Sequence, residues 1–280
     1  MNPNQGQTEA WNGGESVHYV SHADRYDCQL APFTEALLKH VHLGPNDTVL
    51  DIGCGCGVTT LQAARRARAA LGVDISHPLV GIARDRARAA GADNVEFVVA
   101  DAQTHGFDEG HFDAIISQFG SMFFDDPEGA FTNLRRALVP GGRAAFITWQ
   151  ELDANDWLMV VGRAVERFAE LPDLGGLAGG AGMFALEHPG EMTALLTGVG
   201  FTNISVEPVS TTILLAGGAG LDESVDFLLG MGMVRGLLGR LDRDQREAAL
   251  DEIRATLAEH YEAGVGVRLG AAGWLVSAHN

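Results

Sequence analysis

The residues best suited to chemistry sit at three places along a chain of 280 residues. The first is Asp51-Ile-Gly53-Cys54-Gly55-Cys56-Gly57, an acid followed by glycines at every second position. The second is Asp74, 23 positions further on, and the third is Asp101. Each acid lies in or just beyond a short apolar run: Val49 to Ile52, Leu71 to Val73, and Val95 to Ala100. Runs this short read as buried strands rather than helices. Gly53, Gly55 and Gly57 let the backbone turn sharply and meet a ligand with no Cβ between them. Thr59 and Thr60 then open an Ala- and Arg-rich stretch that starts a helix. Strand, glycine turn and helix start together form the usual nucleotide-type site of an open α/β sheet, and a carboxylate ending the next strand can accept both hydroxyls of a ribose.

The glycine spacing selects the ligand. In a dinucleotide fingerprint, G-x-G-x-x-G, the third glycine counted from Gly53 would fall on Val58, which disfavours a nicotinamide oxidoreductase. The pattern present is D-x-G-x-G-x-G, which resembles the first motif of the class I S-adenosylmethionine-dependent methyltransferases. Leu134-Arg-Arg-Ala-Leu-Val-Pro-Gly-Gly142 and the apolar stretch after it also resemble the corresponding family segment. The likeness is to bacterial small-molecule enzymes of the ubiquinone/menaquinone-biosynthesis type, over roughly residues 30–150 and more loosely over the whole chain. It implies S-adenosylmethionine as cofactor and S-adenosylhomocysteine as product. It further implies that Asp51, Gly53, Cys54, Gly55 and Gly57 form the loop at the methionine portion, with Asp74 and Ile75 at the ribose and Asp101 and Ala102 at the adenine.

The elements that must position these residues follow from periodicity and turn chemistry. Phe33, Ala36, Leu37 and Val41 recur at helical spacing, and Gly44-Pro-Asn-Asp47 turns into the first strand. Leu61 to Ala69 is expected as helix and Leu71 to Ile75 as the second strand. A helix over Leu79 to Ala90 follows, with Ser76 and Pro78 as its start signals and Gly91 as its stop. Phe112 to Gln118 is the fourth strand, Pro127 to Leu138 a helix, and Val139 to Gly142 a turn into a fifth strand, Arg143 to Trp149. Ligands of such sheets bind beyond the carboxyl ends of the strands. Gln118 therefore belongs on the cofactor side, and Phe119, Met122, Phe123 and Trp149 wall an apolar acceptor pocket. Filling core beside the strand is the plainer reading for any one of these aromatics.

Past Gln150, helices are expected over Trp157–Phe168 and Glu191–Leu196, and loops over the Gly- and Ala-rich Leu171–Gly182. Phe201–Pro208 and Thr211–Leu215 read as two strands, Asp244–Glu262 as a long helix and Gly270–Ala278 as the last strand. The fold class is α/β: a Rossmann-like, seven-stranded, mostly parallel sheet with helices on both faces and a helical lid inserted before the last strand. One domain spans residues 1–280, divided into an N-terminal arm and helices (1–43), a cofactor-binding core (44–150) and a substrate-side half (151–280). The insertion covers about 217–264. Its apolar segment, 221–241, suits a lid, plain core or a homodimer contact.

Composition narrows the partners. Acids outnumber bases 37 to 19, giving a formal net charge of -18, so phosphate backbones and anionic lipid surfaces are repelled. Neither nucleic acid nor membrane is expected as a partner, and no stretch reaches the roughly 18 apolar residues of a membrane span. The first residues lack an apolar signal core and the three cysteines suggest no disulfide framework, which points to the cytoplasm. Cys54 and Cys56 read as small apolar fillers. No acid and His spacing forms a convincing metal site.

Methyl transfer needs an acceptor held in line behind the methyl carbon, with water excluded. A hydroxyl acceptor also gains from a base, worth roughly 10²–10⁴ in rate. His22 and His18, in the arm, are the candidate bases; His188, Glu151 and Asp153 are rivals. The expected activity is methyl transfer to a small, mainly apolar or aromatic metabolite, at oxygen first, carbon next and nitrogen third, as in small-molecule and natural-product metabolism. A non-catalytic S-adenosylmethionine-binding protein is the alternative.

Overall fold

A computed structural model describes residues 4–171 and 180–280. In chain order the elements are α1 (Gln5–Asn12), α2 (Gly14–Ser21), α3 (Ala23–His40), β1 (Thr48–Ile52), α4 (Val58–Ala64), β2 (Ala69–Asp74), α5 (His77–Ala90), β3 (Val95–Val99) and β4 (Phe112–Gln118). There follow α6 (Pro127–Ala137), β5 (Leu138–Trp149), α7 (Asp156–Glu166), α8 (Pro189–Gly198), β6 (Thr202–Leu214), α9 (Leu221–Gly230), α10 (Gly232–Leu238), α11 (Arg243–Glu259), β7 (Tyr261–Glu262) and β8 (Gly266–His279).

The strands form one sheet in the order β3-β2-β1-β4-β5-β8-β6, with the short β7 paired to β8 outside that path. β1 to β5 run parallel, while β8 lies antiparallel between β5 and β6. The apolar run of β1 is buried at all five positions, as a central parallel strand covered on both faces must be. Phe33 and Leu37 of α3 join Leu50, Ile115, Phe146 and Val276 in one continuous core. The expected mostly parallel Rossmann-like sheet is present, and α9 to α11 form the helical insertion before the last strand.

Several boundaries move for identifiable reasons. The first helix after the glycine loop stops at Ala64, because the Arg68 and Ala69 amides donate to the Asp47 carbonyl and Ala69 already pairs with Thr48. The two strands expected on either side of Pro208 are one, β6; it is an edge strand, where a residue without an N–H is tolerated. The long helix ends at Glu259 rather than Glu262, since Tyr261 and Glu262 turn back to pair with Val267 and Gly266. The turn expected over Val139–Gly142 is an irregularity inside β5: Leu138 pairs with Phe112 and Arg143 with Ala114. The loop expected over Leu171–Gly182 lies largely outside the described residues. No described helix is long and apolar enough to cross a membrane.

Candidate active site

A cavity of about 510 Å³ opens beyond the carboxyl ends of β1 to β4. The α1–α3 arm contributes one side of its wall, and Met231 between α9 and α10, with Gly232 and Met233 at the start of α10, contributes another. Its size falls within the range of small-molecule sites, roughly 300–1,000 Å³.

The floor is the glycine loop, and here the three glycines part company. Gly53 and Gly55 line the cavity, with Cys54 and Cys56. Gly55 has φ +51, and a Cβ built on it would have no neighbour within 4 Å, so its backbone is bare toward open space. Gly57 lies behind, at φ +83, where a Cβ would come within 2.8 Å of both Ala83 and the Phe97 ring. It serves close helix packing and does not reach the cavity wall. Burial pushes the Cys54 thiol well above its ordinary value and Cys56 up to about 12, so both stay protonated and act as compact apolar filler.

Asp51, predicted as a cofactor contact, is also outside the cavity lining. Its carboxylate is buried under the loop and accepts a hydrogen bond from the Thr60 hydroxyl at 2.6 Å. Burial lifts its pKa to about 7; the Thr60 hydrogen bond opposes this and the nearby Asp74 charge adds to it. Asp74 does line the cavity, together with Ile75. Its Oδ2 accepts the Gly55 N–H and its Oδ1 the Ser76 N–H, both at 2.8 Å. The carboxylate thus fixes the loop to the start of α5, and it has lone pairs left for a ligand's hydroxyls. Burial raises its pKa, while the backbone N–H donors work the other way.

Asp101, Ala102 and Gln118 also line the cavity, as do Phe119, Met122, Phe123 and Trp149. Gln118 brings a buried side-chain oxygen with no hydrogen-bond partner among the described residues. Phe119 sits at φ +59, uncommon for a bulky residue, and stacks on Trp149 with centroids 3.9 Å apart. Opposite polar demands thus meet in one chamber, which acids, amides and aromatic faces line together.

His18 reaches the cavity; His22 does not. The His18 Nδ1 lies 2.9 Å from the Tyr26 hydroxyl, and its buried Nε2 packs against Gly230 with no partner of hydrogen-bond geometry among the described residues. Burial lowers its pKa to about 4, with His22 and Arg235 pushing the same way and the Phe227 carbonyl opposing. The ring is therefore neutral at physiological pH. His22 donates from Nδ1 to the His18 carbonyl at 3.0 Å and packs edge-on to Phe227. Glu151 and Asp153 line a separate surface recess with Glu166, and His188 lies within 4 Å of Glu151 and Glu187, so none of these rivals joins the cavity wall.

Other wall residues carried no motif. Tyr19 and Tyr26 stack at 3.7 Å with planes 3° apart, and Trp11 meets Phe123 edge-to-face at 5.6 Å. Met183, Met231 and Met233 complete the apolar side. Asp27 is a carboxylate in the wall, raised by burial and held down by Arg86, 2.7 Å away. Arg86 also binds Asp24 and the Cys56 carbonyl, clasping arm, loop and α5 together. Tyr19 lies on α2 and Tyr26 on α3, brought together across the break at His22, and nothing in sequence marks this pair, Asn4 or Met183.

A family model described as a methyltransferase domain matches residues 49–142. Demethylmenaquinone methyltransferase of Thermus thermophilus is 33% identical over 165 residues, which is 55% of this chain and 74% of that protein. Aklanonic acid methyltransferase of a Streptomyces species is 35% identical over 103 residues, 36% of this chain and 47% of its own length. The YcgJ protein of Bacillus subtilis superposes with a TM-score of 0.59 over 88% of this chain and 97% of that one; at 18% identity that likeness bears on the fold alone. With the D-x-G-x-G-x-G loop opening on a cavity of this shape, these similarities make the chain a member of the class I S-adenosylmethionine-dependent methyltransferases.

Proposed function

We propose that this enzyme transfers a methyl group to the oxygen of a small, mainly apolar or aromatic metabolite by direct in-line displacement. The observation that carries the reading is one cavity whose lining combines Asp74, Asp101 and Gln118 with the aromatic and methionine side chains of Phe119, Trp149, Met231 and Met233. The residues present suit S-adenosylmethionine. Gly55 leaves room at the loop, Asp74 can accept ribose hydroxyls, Asp101 can accept from the adenine amine, and the unpartnered Gln118 oxygen offers a further acceptor. When bound, this cofactor supplies an activated methyl group on a sulfonium.

The protein's own share is positioning and the exclusion of water. The stacked Phe119–Trp149 and Tyr19–Tyr26 pairs present flat apolar faces on which an aromatic acceptor can lie. His18, neutral and weakly basic, packs its Nε2 edge against Gly230 and its Nδ1 at the Tyr26 hydroxyl, so it is better suited to shaping the wall than to taking an acceptor's proton. His22 acts behind it, holding the turn of helix that carries it. The names of the two relatives above support a small-molecule acceptor.

Incubation with methyl-deuterated S-adenosylmethionine and a panel of phenols, enolisable carbon acids and amines tests the reading. Label in an aryl ether, with S-adenosylhomocysteine released in equal amount, is the expected result. Label only on carbon or nitrogen overturns the oxygen assignment, and binding without release from any acceptor favours the non-catalytic alternative.

A further inference from the structure

Asn4, at the start of the arm, carries a side chain whose arrangement no helix requirement explains. It is 4% exposed, lines the cavity and occupies the N-cap of α1 with φ 61. An Asn at that position ordinarily turns its side-chain oxygen onto an amide of its own first turn. This one makes no such bond. Its Nδ2 instead donates to Asp101 Oδ1 at 3.2 Å, across 97 residues of sequence. A carboxylate only accepts, so the amide nitrogen must face Asp101, and this fixes the Asn4 Oδ1 as an acceptor. That oxygen is buried with no hydrogen-bond partner among the described residues, an unfavourable state that a ligand donor would relieve.

The group that would relieve it must be a donor beside Asp101. Asp101 accepts from Asn4 and from the Gln103 N–H at 3.0 Å, both through Oδ1, and a carboxylate has room for further donors. Two acceptors side by side, one charged and one neutral, match a group with two N–H bonds and no acceptor of its own. An exocyclic amine on a purine is such a group; a ring carbonyl in the same place would face two oxygens. We infer that Asn4 joins Asp101 in reading the 6-amino group of the cofactor's purine, so that the arm supplies part of the cofactor's specificity. The inference rests on the S-adenosyl reading above and adds to it a residue outside the sheet.

The way α1 is docked fits this role. The helix buries none of its own residues. It is tied down by polar staples at its far end: Asn12 Nδ2 donates to the Ile75 carbonyl at 3.0 Å, Asn12 Oδ1 accepts the His77 N–H at 2.9 Å, and the Ser76 hydroxyl donates to the Trp11 carbonyl at 2.6 Å. Asn12 does not line the cavity, so it supports the arm without touching the ligand. It supplies the control that separates support from recognition.

The test is calorimetric titration of the full chain with S-adenosylhomocysteine and with S-inosylhomocysteine, in which a carbonyl replaces the amine. The wild type should prefer the adenosyl compound strongly. Asn4→Ala should weaken adenosyl binding by about tenfold, the scale of one buried hydrogen bond, and leave inosyl binding equal or improved, so that the preference shrinks. Asn12→Ala should weaken both ligands by the same factor and keep the preference. Equal losses for both ligands in Asn4→Ala, or no loss for either, overturn the inference and leave Asn4 as an arm support. A wild type that binds neither compound overturns the cofactor reading itself, and this inference with it.

Discussion

The glycine loop and the N-terminal arm face each other across one cavity and are built on opposite terms. The loop works through backbone: positive φ at Gly55 and Gly57, amides fixed by Asp74, and an acid buried beneath at Asp51. The arm works through side chains, with Trp11, Tyr19 and Tyr26 as wall and Asn4 and Asn12 as hydrogen-bonding ends. A backbone-built surface tolerates few residue types, because only glycine removes both the Cβ and the penalty on left-handed φ. A wall built of side chains tolerates many, since any large apolar group of about the right size fills it.

The sharpest way to break this comparison is within the loop itself. Gly55→Val should lose cofactor binding by at least about a hundredfold while melting near the wild-type temperature, because its new carbons enter open cavity and cost only about 1–2 kcal/mol of backbone strain. Gly57→Val should instead destabilise the fold by about 3 kcal/mol or more, since its Cβ collides with Ala83 and Phe97. Thermal melting and calorimetry on the pair decide the matter; the reverse pattern would mean the two glycines have been assigned to the wrong jobs. Next in size, Asp74→Ala removes the acceptor of the Gly55 and Ser76 amides and of the proposed ribose contact, and should weaken S-adenosylhomocysteine binding about ten- to hundredfold.

Titration sharpens the same contrast, because the two regions carry buried groups of opposite sign. Asp51 has a raised pKa, so the folded state holds a proton that the unfolded state has released, and stability falls as pH rises from about 4 to about 7. Relative to Asp51→Asn, the wild type should lose at most about 1.4 kcal/mol per pH unit across that window and level off above it. His18 has a lowered pKa, so the unfolded state takes up the proton first, and stability falls as pH drops from about 6.5 to about 4. Relative to His18→Gln, the wild type should therefore weaken toward acid. Denaturant melts at stepped pH read both slopes, and slopes of the same sign would contradict the assigned burial. The smallest effect belongs to His22→Ala, which should change kcat/KM by less than about twofold, since the ring stays off the cavity wall.

The same division explains what could be read in advance. The sheet was legible because β1 to β5 alternate with helices that have caps and stops, such as Ser76, Pro78 and Gly91 around α5. The place of the cavity was legible from Asp74, Asp101 and the glycine spacing, which each put an unusual residue type at a strand end. Asp51 and Gly57 belong to the same motif yet stay behind the cavity wall, because a motif records what the turn needs as well as what the ligand touches. His22 and His18 look equivalent in sequence, and at i and i+4 they would share a helix face; His22 instead ends α2 at a non-helical φ of -129, and its ring sits beside His18 and off the cavity wall. Asn4 could not have been picked out, since its contact with Asp101 exists only once the arm has docked.

We propose that the bare loop and the acids beside it seat an S-adenosyl compound. Titrating the purified full chain with S-adenosylhomocysteine by calorimetry tests it most directly. One-to-one binding with a micromolar dissociation constant, abolished in folded Gly55→Val, is the result expected. Folded wild-type protein that takes up no heat at millimolar ligand would contradict it.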